Sequence, residues 1–156
     1  MNPGKNIDPK RDQNYGNTSD NDPMDDAIKK VKNIQELTIN QIDEIAECVA
    51  KILNDKKIKT NQIRNVYGYI SRVRNYYNNK SNDIDEVKNM LIFLKPKLAY
   101  IAGRIGQVKK SKMDKFYRAA IDSINEAITD EQKKKALDNF FKLSEAIVAY
   151  HRYYAG

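Results

Sequence analysis

The sequence predicts an all-α fold, a compact bundle of about five helices behind a disordered N-terminal tail, and three observations carry that reading. From Thr38 onward apolar residues recur at spacings of three and four with no sustained alternation, which is the helical period rather than that of a strand. Two of these stretches open with a hydroxyl residue three places before a glutamine, Thr38 with Gln41 and Thr129 with Gln132, so that each pair can satisfy exposed helix N–H groups reciprocally. The chain has 156 residues, 40% of them hydrophobic and 31% charged, which is single-domain length and enough to bury a core.

The first helix, about 39 to 54, aligns Ile42, Ile45, Val49 and Ile52, with Cys48 beside the stripe. The second, about 61 to 78, aligns Ile63, Val66, Ile70, Val73 and Tyr77, and Thr60 can cap it. Turn chemistry from Tyr76 to Asn82 ends that helix, and Asn82 can cap the next. The third runs from near Asp83 through Val87, Met90, Leu91 and Leu94 to Pro96. Proline there lacks the N–H that would bond the Ile92 carbonyl, so the helix either kinks or restarts. Leu98, Tyr100, Ile101 and Ile105 continue the spacing until Gly103 and Gly106 loosen it. The fourth, about 112 to 128, carries Met113, Phe116, Tyr117, Ala120, Ile121, Ile124 and Ile128, with Ser111 and Asp114 as a weaker capping pair. The last, about 130 to 154, carries Leu137, Phe140, Phe141, Ser144, Ile147, Val148 and His151. Short connections between such stripes favour an antiparallel bundle.

Charge divides the chain. Residues 1–33 hold six Lys/Arg and six Asp, are rich in Asn, Asp, Gly and Pro, and read as a disordered tail. Residues 34–156 form the bundle domain and carry the whole net charge of +7. No apolar run approaches the roughly 18 residues of a membrane span, and the polar first residues show no leader pattern, so a cytoplasmic protein is expected.

Much chemistry is excluded at this stage. One cysteine and one histidine cannot make a four-ligand zinc site, no Glu-x-x-His pair precedes His151, and no Gly-rich phosphate loop is present. A Cys48–His151 dyad is conceivable, but a core thiol and a buried, hydrogen-bonded imidazole are the simpler readings. The sequence therefore predicts no enzyme, no cofactor and no metal.

What remains is cations interleaved with tyrosine. Lys97, Tyr100 and Arg104 fall at i, i+3 and i+7, with Lys95 just before and Lys109, Lys110 and Lys112 just after. On the second helix Arg64, Tyr67, Ser71 and Arg74 share a side, while Arg72 points elsewhere. Arginine forks and lysine point charges suit phosphates, and tyrosine suits an unpaired base. Spacing alone supports a solvated face equally well. Nothing reads bases, so binding through these faces would be independent of sequence.

The stretch Leu94-Lys95-Pro96-Lys97-Leu98-Ala99-Tyr100-Ile101-Ala102-Gly103-Arg104, the segment Gln62-Ile63-Arg64 and the ending from Phe140 to Tyr154, with its Tyr150-His151-Arg152-Tyr153-Tyr154, resemble the small helical subunit of type III-A CRISPR effector complexes, the Csm complexes. The likeness spans about Leu37 to Gly156 and leaves the tail unmatched. It implies a non-catalytic protein present in several copies, forming an inner filament beside the backbone subunits and lining the channel for the guide–target RNA duplex. The implied partners are guide RNA, target RNA, the backbone and large subunits and other copies of the chain, with no membrane and no small-molecule substrate. Arg64, Lys95, Lys97 and Arg104 match the family's basic positions. With the neighbours found from spacing, the candidate RNA-binding residues are Arg64, Arg74, Lys95, Lys97, Tyr100, Arg104, Lys109 and Lys110. The competing reading is a helical protein–protein interaction module without direct RNA contact.

Overall fold

The computed structural model describes residues 22–79 and 83–156, and among these the fold is all-α. In chain order the elements are α1 (Pro23–Lys30), a 3-10 segment (Val31–Glu36), α2 (Ile39–Asp55), α3 (Thr60–Asn79), α4 (Ile84–Ile92), α5 (Leu94–Arg104), α6 (Gly106–Ser111), α7 (Met113–Asn125) and α8 (Asp130–Ala155). The five predicted helices have become eight α-helical segments among the described residues. Each addition has a local cause.

The first is α1, which overturns the upper part of the predicted tail. Asp22 caps it by accepting the Met24 N–H at 2.9 Å, and Pro23 takes the first helical position, where its missing N–H is no loss. Met24, Ala27, Val31 and Ile34 then fall on one stripe and are buried in the core. The 3-10 segment is clamped from two helices. The Ile34 N–H donates to Ser123 Oγ at 3.0 Å, and Asn139 Nδ2 donates to the carbonyls of Ile34 at 2.8 Å and Leu37 at 3.2 Å. Order therefore begins well before residue 34, and the remainder of the predicted tail, 1–21, lies outside the described residues.

The second addition answers the choice left at Pro96 in favour of a restart. Helix α4 ends at Ile92, and α5 begins at Leu94, which puts Pro96 in the first turn, where a backbone N–H has no intrahelical partner anyway. The third is α6, set off by extended backbone at Ile105 and by Lys112 in the left-handed region at φ 64°. Both predicted capping boxes are present, at Thr38 and Thr129. The weaker caps are not: Thr60 is already helical, Asn82 lies outside the described residues and Asp83 does the capping, and Ser111 ends α6 with its hydroxyl accepting the Met113 N–H at 3.2 Å.

Helices α2 and α8 run along each other and form a seam. Tyr150 donates to Asp43 at 2.6 Å, Tyr154 donates to Glu47, and Asn54 donates to the Tyr154 carbonyl at 3.4 Å. The predicted stripes are buried except at their margins. Ile52, Tyr77, Met90, Ile101, Ile105 and Val148 are half-buried, Tyr100 is exposed, and Ile128 is 80% exposed because α7 stops at Asn125, one turn before the period would have carried it inward. Phe116, Tyr117, Phe140 and Phe141 fill the centre, the first two edge-to-face at 5.5 Å. Among the described residues no helix is long and apolar enough to cross a membrane.

Candidate nucleic-acid interface

Helix α5 buries Leu94, Leu98 and Ala102, which turns Lys97, Tyr100 and Arg104 outward on the opposite face. Tyr100 is 64% exposed, and Arg104 lies over its ring at 5.7 Å while donating to its hydroxyl at 3.2 Å. Lys97 reaches across to α3, where its ammonium sits 5.5 Å from the Tyr69 ring centroid. Arg64 on α3 and Lys109 and Lys110 on α6 are exposed, and among the described residues they enter no ion pair.

Two predicted residues point away from this face. Arg74 pairs with Glu145 of α8 at 3.0 Å and lies 5.9 Å from the Phe141 ring centroid. Spacing groups it with Arg64, but it sits close enough to the apolar stripe of α3 to be drawn against α8. Lys95 pairs with Asp122 of α7 at 2.5 Å and is largely covered. Lys112, which continues the ridge in sequence, is likewise held by Asp22 and Asp25, each at 2.9 Å. Those hydrogen bonds raise the Lys112 pKa, and the same Lys112 contact holds the Asp22 carboxyl below its ordinary value.

Sequence reasoning missed Arg72. Two residues from Arg74, it projects from the opposite flank of α3, about 160° round the axis, and its guanidinium lies 5.7 Å from the same Tyr69 ring that Lys97 approaches. The Tyr69 hydroxyl donates to the Met90 carbonyl of α4 at 2.8 Å, so the ring is tethered. The local signal was present, since Tyr69 and Arg72 are one helical turn apart; the contribution of Lys97 from a separate helix was not legible.

The nucleophile alternative gains no support from the geometry. Cys48 is exposed, which corrects the core-thiol reading, and lines a shallow surface depression with Glu44, Glu47, Lys51, Ile52 and Asp55. His151 is buried as expected, with Nε2 bonded to the Ile58 carbonyl at 2.9 Å and Nδ1 without a partner. Burial lowers its pKa, and because the Ile58 carbonyl can only accept, Nε2 carries the proton in that bond. The thiol and the imidazole make no hydrogen bond. Among the described residues no group of three or more His, Cys, Asp or Glu could hold a metal.

Compared with known proteins, residues 36–156 match the family described as Csm2 Type III-A. No curated protein and no solved structure matches the chain. The match covers the bundle from the last residue of the 3-10 segment to the C-terminus, including the whole basic face, and on that ground the chain belongs to the Csm2 Type III-A family, the small subunits of type III-A CRISPR Csm complexes.

Proposed function

We propose that this subunit is a non-catalytic scaffold that holds guide or target RNA in register through its phosphates, alongside other copies of itself and the backbone and large subunits, in the cytoplasm. The observation that carries the reading is the α5 face, where Lys97 and Arg104 stand exposed with tyrosine rather than carboxylate as their neighbour. Cations not paired with a carboxylate release counterions when they meet a polyanion, and such contacts fix position without reading sequence. Arg64, Lys109 and Lys110 extend the surface, whereas Arg74 and Lys95 would have to leave a carboxylate first.

Contact with about three phosphates gives a log–log salt slope near −2 for single-stranded RNA, at about −0.7 per contact. One copy alone therefore binds weakly, and neighbouring copies along one RNA raise the effective concentration. The test is a salt titration of RNA binding by the full chain against the Arg64→Ala/Lys97→Ala/Arg104→Ala variant. A shallower slope and weaker binding with an unchanged urea midpoint are expected. Equal affinity and slope in the two proteins would refute the reading. Exposed Ile92 and Phe93, the latter 68% exposed at the α4–α5 break, favour the second reading, a protein-interaction module. For that reading, Phe93→Ser abolishes assembly with the other subunits while the triple variant assembles and retains RNA normally.

A further inference from the structure

The strongest unassigned feature is the cluster in which Arg72 of α3 and Lys97 of α5 approach one ring, that of Tyr69, at 5.7 and 5.5 Å. Two cations gathered on one aromatic group repel each other, and among the described residues no carboxylate pairs with either of them. The ring face attracts both cations, and its hydroxyl is fixed to the Met90 carbonyl of α4. The arrangement thus holds a guanidinium fork and an ammonium point charge, from different helices, ready for an anion.

Gly68 supplies a separate observation. The Arg72 guanidinium lies alongside it, with Nη1 3.9 Å from where a Cβ would stand. That is ordinary contact, so packing does not demand glycine here, and glycine inside a helix costs up to about 1 kcal/mol against alanine. Its consequence is room for the Arg72 guanidinium beside the helix backbone at that position.

We propose that Arg72 and Lys97 grip a backbone phosphate of a single-stranded RNA, that Tyr69 is the positioning residue that brings the two cations together, and that Gly68 keeps the approach open. The site rests on the RNA-binding reading above and adds α3 to the surface that α5 offers. Arginine supplies two parallel N–H donors to the phosphate and lysine supplies charge.

The test uses the full chain and a labelled, unstructured oligouridine at several KCl concentrations, starting at low salt. Arg72→Ala and Lys97→Ala are each expected to flatten the salt slope by about 0.7. Their double variant should lose less affinity than the product of the two single losses, because both grip the same phosphate. Tyr69→Leu should reproduce the double variant, whereas Tyr69→Phe, which keeps the ring, should retain the slope. A Gly68→Ala variant should bind normally and Gly68→Leu poorly. Urea midpoints separate loss of the site from loss of the fold, and the surface changes Arg72→Ala and Lys97→Ala decide the matter even where Tyr69→Leu fails to fold. Should Arg64→Ala/Arg104→Ala weaken binding while Arg72→Ala does not, this site is overturned and the broader reading stands. Should none of these changes matter, or the unaltered chain ignore RNA at low salt, both fall.

Discussion

His151 and Asn139 show how single polar side chains are accommodated in this core. A histidine whose pKa is lowered by burial contributes stability that is complete above its unfolded value of about 6.5 and lost as pH falls below it, because the unfolded chain takes up the proton first. The urea midpoint should therefore drop between about pH 7 and pH 5.5, and His151→Gln should remove most of that slope. Asn139 is buried and answers two carbonyls at once, those of Ile34 and Leu37. Asn139→Ala leaves the Leu37 carbonyl without this donor and the Ile34 carbonyl with only the Leu37 N–H at 3.3 Å, and should cost roughly 1–3 kcal/mol in urea unfolding, with Asn139→Asp at least as damaging because a carboxylate cannot donate. At this scale the sequence was a partial guide. It marked His151 as buried and Lys97, Tyr100 and Arg104 as one exposed face. It could not show that Arg74 meets Glu145, 71 positions away, or that Lys95 meets Asp122, 27 away, since helical spacing says which side a residue takes and not what stands opposite.

Among the elements, the corner between α6 and α7 turns on Lys112, a non-glycine residue in the left-handed region whose ammonium ties α1 down through Asp22 and Asp25. The backbone there favours glycine and the side chain favours lysine, so substitutions separate the two demands. Lys112→Ala keeps the backbone penalty and loses the ion pairs, and it should be about 1–2 kcal/mol less stable than Lys112→Gly, which loses only the pairs. In α5 the opposite argument applies. Gly103 is helical and exposed, and no heavy atom lies within 4 Å of where a Cβ would stand, so Gly103→Ala should raise stability by roughly 0.5–1 kcal/mol in a thermal melt. The strongly periodic helices were legible because a single stripe defines each of them. Helix α1 was not, because its stripe of Met24, Ala27 and Val31 is short and sits among aspartates, although Asp22-Pro23 is a recognisable helix start.

For the whole molecule, one continuous core runs from Met24 in α1 to Ile147 in α8. No described helix carries a separate cluster, and unfolding should accordingly be a single event. Far-UV circular dichroism and the fluorescence of the ten tyrosines, in a chain without tryptophan, should give coincident urea transitions; two separated midpoints would show that α1 and the 3-10 segment release first. The all-α class was legible in full. The surface was legible only as a density of charge, because its geometry depends on which helices the core brings side by side.

The α2–α8 seam has a consequence for biosynthesis. Helix α2 buries its stripe against a partner that begins 91 positions later, so at about 5–20 residues per second a nascent chain carries α2 for several seconds before the ribosome has made what covers it. The last helix closes the structure, and a premature stop within it would leave every earlier helix translated but the domain unassembled.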